Sequence, residues 1–439
     1  MYHAHVLNRP FQSIKSNLEL IMTRNSTQDS GRKTIIRAAR LIDGMGGCVD
    51  GGAVIFEGNR IKDCGPRTRI GDVSDAVEIE TNGTVMPGMV DVHVHLRGPG
   101  IGSEGYEDVL DIIRMSHAET ALHAAHYARE TLRAGFTAVR DCAAPAGVII
   151  DLRRAIDDGY IEGPRIKACG QGLTVTGGHM DMPLFADHIS VEGWSAPCLG
   201  ADGFRQGVRE QLKRGADFIK LNTWVSFHDS PNRFWRREMT DSEIAAACDE
   251  AHTQGVHVAA HVYGSDGIKS SILNGVDTVE HGHWIDPATV NLMAELGTTF
   301  VPTLTVNDVH AQMALVDPAV PEKYKRWHQR SSEDKWESLE RIRKAGIRVC
   351  TGTDAGFQIE HGRWNAYELE LLVQGGYSEM EAITAATQHG ADLLDIDAGR
   401  IETGRLADIV VLEGNPLEDI TVLGQMHSKR VFKDGREVQ

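Results

Sequence analysis

From Lys33 the chain reads as short strands separated by turns: Thr34–Ala38, a glycine-rich turn at 44–47, Ala53–Phe56 and Val77–Glu80. The far end repeats this pattern with Ile409–Leu412, Arg430–Lys433 and an Asp434-Gly435 turn. The long middle, roughly 85–390, is different: short apolar runs alternate with stretches of helical period. Its strand candidates are Met89–His95, Phe136–Asp141, Arg165–Cys169, Asp217–Asn222, Val256–His261, Asp277–His281, Thr298–Leu304 and Ile347–Thr351. Amphipathic stretches at 117–134, 202–215, 240–254, 288–296 and 333–345 lie between them. Strand–helix alternation predicts parallel βα units, and eight of them predict an α/β fold closed as a (β/α)8 TIM barrel over 85–395. The two β-rich ends, 33–84 and 396–439, predict one small β-sandwich domain built from both termini. Residues 1–32 show no sustained period and are expected to form a poorly ordered arm.

The chain has 439 residues, 41% hydrophobic and 24% charged, which is globular composition and excludes disorder, collagen and coiled coil. Its net charge of −17 argues against a nucleic-acid partner, because phosphate neutralisation needs clustered Lys and Arg. No run of 18 apolar residues occurs, so no membrane span is expected. The first thirty residues hold no apolar core beyond Leu18–Met22, itself broken by Glu19, so no secretory signal is expected. Seven cysteines, odd in number, widely spread and without CxxC, read as reduced packing residues of a cytoplasmic protein.

In a barrel of this kind, chemistry sits at the C-terminal ends of the strands. That rule filters the twenty histidines. His93 and His95 close the first strand as Val92-His93-Val94-His95, and an i, i+2 pair on a strand shares one face. His261 ends the fifth strand, His281 the sixth, and Asp354 follows the eighth in Thr351-Gly352-Thr353-Asp354. Neutral imidazoles with a carboxylate are a ligand set for Zn2+ or a similar divalent ion. Lys220 ends the fourth strand on the same rim. As an ammonium it would repel a dication; read alone, it is a lysine snorkelling out of an apolar strand.

The ordered set, with Pro87-Gly88-Met89-Val90-Asp91-Val92-His93-Val94-His95-Leu96 opening and Gly352-Thr353-Asp354-Ala355-Gly356 closing, resembles the amidohydrolase superfamily. The resemblance extends through 131–141, 163–166, 176–181, 214–221, 274–282, 301–304 and 404–420, and looks closest to the prolidase-like carboxypeptidases and ochratoxinase-like amidohydrolases. It implies a binuclear hydrolase of C–N amide bonds. One ion would sit on His93, His95 and Asp354, a second on His261 and His281, with carboxylated Lys220 and a hydroxide bridging both. Zn2+ is the expected ion, and the carbamate on Lys220 derives from CO2. Two dications about 4 Å apart repel by roughly 16 kcal/mol at an effective dielectric of 20, which bridging anions offset. Asp354 would accept the nucleophile's proton and pass it to the leaving nitrogen. By analogy with such relatives, a homo-oligomer is expected.

Further candidates surround this set. Tyr263 shares the face of His261 and is placed to donate to an oxyanion, and His179 follows the third strand. His283, two residues past His281, is a rival ligand. Trp224, Trp284, His361 and Arg363 are expected to meet substrate; Trp194, Trp235 and Trp364 also fall in strand-to-helix segments. With Phe227, Phe234, Arg233, Arg236 and Arg237, they suggest a small amide or carbamate substrate bearing an apolar or aromatic group. Packing of the loops against one another is the bland alternative. A mononuclear deaminase of the same superfamily would carry Glu three residues past the fifth-strand histidine, where this chain has Gly264. A non-enzymatic scaffold would not be expected to keep all six ligands. The GxGxxG string at 100–105 lacks a strand-to-helix context and reads as a loop.

Overall fold

The computed structural model describes residues 33–98, 114–181, 188, 192–224, 236–316, 318, 322–356 and 359–439. The arm at 1–32, the 100–105 string and Phe227, Arg233, Phe234 and Trp235 lie outside the described residues. Four strands come first: β1 (Lys33–Ile42), β2 (Cys48–Glu57), β3 (Arg60–Pro66) and β4 (Val77–Pro87). Nine strands follow: β5 (Met89–Val94), β6 (Phe136–Asp141), β7 (Arg165–Ala168), β8 (Gly172–Val175), β9 (Ser195–Cys198), β10 (Ile219–Asn222), β11 (Val258–Val262), β12 (Thr278–His281) and β13 (Thr299–Val301). The chain closes with β14 (Ile409–Leu412), β15 (Lys429–Lys433) and β16 (Arg436–Glu437).

The terminal strands form one seven-stranded sheet in the order β16-β15-β14-β4-β1-β2-β3. Both ends of the chain therefore contribute, as expected, but to a single sheet rather than two separately bonded layers. The sheet curls instead. The far edge at Arg60 bridges to Leu406, and Ala407 donates its N–H to the Asn59 carbonyl at 2.9 Å. Ile36, Val54, Phe56, Val85, Ile409, Val411 and Phe432 gather on the inner side of that curl. The alternate residues Val410 and Leu412 join Met86, Met89, Leu132 and Phe136 in the main core. That period of two explains why Ile409–Leu412 is apolar throughout: both faces are covered.

The middle of the chain is mixed α/β with parallel strand pairing. One sheet runs β5-β6-β7 and another β13-β12-β11-β10-β8-β9. Asp217, just before β10, reaches β7 by donating its N–H to the Ala168 carbonyl at 2.8 Å. On the other side, the predicted eighth strand is a segment making single bridges, Phe300 to Val349 and Val94 to Ala355. The predicted seventh strand stops at Val301, because Pro302 lacks a donor and Thr303 turns into the left-handed region before a helix starts at Leu304. β8 and β9 were not expected from the sequence.

Helices connect the strands and begin where capping residues stand. Ser116 caps the helix His117–Arg133, Thr240 and Glu243 form a capping box on Asp241–Thr253, and Asp286 precedes Pro287 on Pro287–Leu296. Helices Leu304–Val316 and Glu322–Lys344 form a hairpin, the second starting eleven residues before the predicted 333. Among the described residues, no helix is long and apolar enough to cross a membrane.

Candidate metal centre

Parallel pairing brings the C-terminal ends of neighbouring strands to a common edge, and the register fixes which side chains meet. Asn222 pairs with His261, His261 with Glu280, and Val262 with His281. On β5, Asp91 organises the approach. Its buried carboxylate accepts from Thr353 Oγ1 at 2.6 Å, Asn365 Nδ2 at 2.7 Å and the His93 N–H at 3.1 Å. It thereby ties the histidine strand to the loop that carries Asp354, whose own N–H donates to the His93 carbonyl at 2.7 Å.

The tautomers follow from what the imidazoles touch. His95 Nδ1 lies 3.1 Å from the Ala143 carbonyl, which only accepts, so Nδ1 carries the proton. His93 Nδ1 lies 2.7 Å from Glu280 Oε2, and Glu280 is held ionised by Arg140. His281 Nδ1 lies 2.7 Å from Thr303 Oγ1. The Nε2 atoms of His93 and His95 therefore carry no proton. Both face the same carboxylate oxygen, Asp354 Oδ1, at 3.6 and 3.1 Å. Acceptors converging on an acceptor repel unless a cation lies among them. Around the same point, Lys220 Nζ, His261 Nε2 and Asp354 Oδ1 are buried without a hydrogen-bond partner among the described residues. Such groups cost free energy if left so. The His261 ring lies 4.4 Å from that of His281, which lies 5.1 Å from that of His93. These residues fit a divalent metal centre.

Electrostatics agree. Burial, reinforced by Lys220, pushes His93 down to about 4, and burial holds His261 and His281 well below the ordinary imidazole range. All three are neutral near pH 7, as ligation requires. Burial pushes the Asp354 carboxyl up, yet the nearby Lys220 ammonium helps hold it below the usual carboxylate range. The backbone is strained at the same place. His281, Trp284, Thr303 and Asp354 have φ of 71°, 59°, 47° and 60°. Such conformations cost about 1–3 kcal/mol each and persist where function fixes them.

The remaining predicted residues separate. His179 stacks on the His261 ring at 4.2 Å and is half-buried. Tyr263 meets His261 edge-on at 5.0 Å, and burial pushes its hydroxyl above the usual phenol range. His283 stacks on Tyr263 at 5.3 Å, and the Tyr263 ring in turn lies 5.4 Å from that of His281. Trp284 stands with Tyr263 and Trp327, their ring centroids 6.0–6.2 Å apart. Trp224, expected at substrate, is instead a core residue beneath Gly264 and Gly267: a Cβ on Gly267 would lie 2.5 Å from its ring. His361 is buried between Thr131 and the His95 carbonyl, where it supports the backbone of His95 rather than facing an open cavity. Arg363 is exposed, its guanidinium over Trp364. Glu280, Arg140, Thr303 and Trp327 were not expected from the sequence, whereas Trp194 was among the tryptophans expected on this side. Trp194 stacks on His95 at 5.3 Å with Arg97 on its ring. Glu280 had a signal: it directly precedes His281 on a wholly buried strand.

A model of the amidohydrolase family matches residues 84–438. An ochratoxinase of Aspergillus niger is 30% identical over 453 residues, covering 97% of this chain and 90% of the relative. A crystal structure of a Xaa-Pro dipeptidase with methionine bound in its active site superposes with a TM-score of 0.81 at 32% identity, covering 92% of this chain and 99% of that one. The crystal structure of the A. niger ochratoxinase gives 0.81 at 27% identity, covering 93% and 96%.

Proposed function

The chain belongs to the amidohydrolase family, and from that premise we propose a binuclear metal-dependent hydrolase that cleaves the amide bond of a small substrate bearing an apolar or aromatic group. The chain is a hydrolase of carbon–nitrogen bonds. The observation that carries the binuclear reading is the convergence of His93 Nε2, His95 Nε2 and Asp354 Oδ1 beside partnerless Lys220 Nζ and His261 Nε2. His93, His95 and Asp354 would hold one ion, His261 and His281 the other, and Lys220 as a carbamate would join them. Carboxylation turns the Lys220 cation into an acceptor. Zn2+ suits the imidazole and carboxylate donors. Divalent ions bound there supply Lewis acidity and a water ionised near neutral pH.

The chain's own residues do the rest. Asp354 accepts a proton from the attacking water and returns it to the leaving nitrogen as the C–N bond breaks and the C–O bond forms. Tyr263, whose ring meets that of His261 edge-on, donates to the carbonyl oxygen as charge develops. His179, stacked beside His261, borders the substrate. Tyr263, Trp284 and Trp327 favour a flat apolar group, which supports the substrate class. The same reading takes both parallel sheets and the 347–355 segment as one closed (β/α)8 barrel over 85–395. The curled sheet of 33–84 and 396–439 is then its companion. It also takes the protein as a cytoplasmic homo-oligomer.

The test is a hydrolysis screen of N-acyl amino acids, aryl amides, carbamates and small aliphatic dipeptides, run with chelator and with Zn2+ restored. Chelator-sensitive cleavage of aromatic amides above aliphatic ones is expected. Cleavage indifferent to chelator would overturn the metal reading, and equal cleavage of small dipeptides the substrate class.

A further inference from the structure

We infer that Glu280, anchored by Arg140, is a positioning residue of the metal centre that fixes the tautomer and orientation of His93 and so sets the affinity of the His93–His95–Asp354 site. The inference rests on the binuclear reading above. Glu280 is wholly buried on β12, directly before the ligand His281. Its two oxygens divide the work. Oε2 lies 2.7 Å from His93 Nδ1, while Oε1 accepts from Arg140 Nη2 at 2.7 Å and Thr278 Oγ1 at 2.5 Å. Arg140, on β6 and 3% exposed, is itself fixed by Nε donating to the Val92 carbonyl at 2.5 Å. One carboxylate thus joins β5, β6 and β12.

Stability alone does not call for this pair. Buried ion pairs are often replaceable by well-packed apolar residues with no loss of fold. What an apolar pair cannot do is specify a proton. An ionised Glu280 only accepts, so His93 must donate from Nδ1 and present the Nε2 lone pair to the site. A glutamine there has a donating end as well. Where that end faces Nδ1, the imidazole proton moves to Nε2 and blocks the ligand atom. His93 Nδ1, Cys142 Sγ and Glu280 also lie within 4.8 Å of one another. The Arg140 guanidinium on Glu280 opposes any cation there, so the trio serves the site rather than forming another.

The test compares wild-type protein with Glu280→Gln and with the double variant Glu280→Met, Arg140→Leu. Each is titrated with Zn2+ against a chromophoric chelator and with Co2+ by visible absorption. One of the two ions should bind about 10–100-fold more weakly in both variants, with an altered Co2+ spectrum and the other ion near wild-type affinity. The metal-free double variant should unfold at or above the wild-type temperature, which a purely structural role would not allow. Wild-type affinity for both ions in the variants would overturn the inference. A wild type that binds no ion would instead overturn the reading beneath it. Should Glu280→Gln fail to fold, the double variant decides in the same way.

Discussion

Lys220 ought to be a burden on the metal-free fold, and removing it should show that. The residue is 3% exposed and its Nζ has no hydrogen-bond partner among the described residues. An ion buried in this way carries an effective penalty of several kcal/mol, offset in part by attraction to Asp354 and Glu280. Lys220→Met keeps the length and apolar stem and deletes the charge. The metal-free variant should therefore be more stable than metal-free wild type by what remains of that penalty once the lost attraction is subtracted, on the order of 1 kcal/mol. Metal reverses the order. At a thousandfold excess over its dissociation constant an ion stabilises the native state by about 4 kcal/mol. In Lys220→Met, which cannot form the carbamate, that increment should shrink to less than half. The assay is urea unfolding at pH 7.5 with bicarbonate, with and without Zn2+, read by fluorescence and far-UV dichroism. A metal-free variant clearly less stable than wild type, or a full Zn2+ increment in the variant, would refute the reasoning.

Other perturbations should act at a distance from the lysine. Thr303→Val removes the hydroxyl 2.7 Å from His281 Nδ1, leaving that buried ring nitrogen without this partner at about 1–3 kcal/mol, and should weaken metal binding about 10–100-fold; Thr303→Ser should restore it in the same chelator titration. Gly356→Ala puts a Cβ 2.0 Å from the His95 carbonyl oxygen at a φ of 106°, so it should cost at least about 1–3 kcal/mol by urea unfolding and lower metal content together. Burial lifts Glu368 to about 8, against hydrogen bonds from Leu304 and Thr305 that pull it down. The native state then holds a proton that the unfolded chain has released, so this contribution to stability is full below about pH 4.5 and lost as pH rises through 8. Glu368→Gln cannot titrate, and the difference between its pH–stability curve and that of wild type should show that fall; parallel curves would refute it.

How much of this is legible in the chain depends on what each feature needs. His93 and His95 can be read because a period of two puts them on one face at the end of an apolar run, and Phe136–Asp141 and Ile409–Leu412 stand as expected. Short strands escape. β8 and β9 have four residues each and contain Gly172 or Pro197, so local preference says turn, and only parallel neighbours make them strands. Trp224 was misplaced because a strand-to-helix position says nothing of direction: Gly264 and Gly267 open a space beneath the helix, and the indole fills it. Trp327 was missed because its helix, rich in charge, shows its apolar face only once packed against 304–316. Glu280 illustrates the remaining limit. A buried acid reads as a defect until its partners Arg140 and His93, distant in sequence, are seen.

The account stands or falls on what occupies the rim of the parallel strands. A crystal structure from protein supplied with Zn2+ and bicarbonate, with anomalous scattering recorded at the zinc edge, tests it most directly. Two anomalous peaks are predicted, one within bonding distance of His93, His95 and Asp354, the other of His261 and His281, joined by carbamate density on Lys220. A bare Lys220 amine beside an empty rim, or a single ion that Lys220 does not touch, would contradict it.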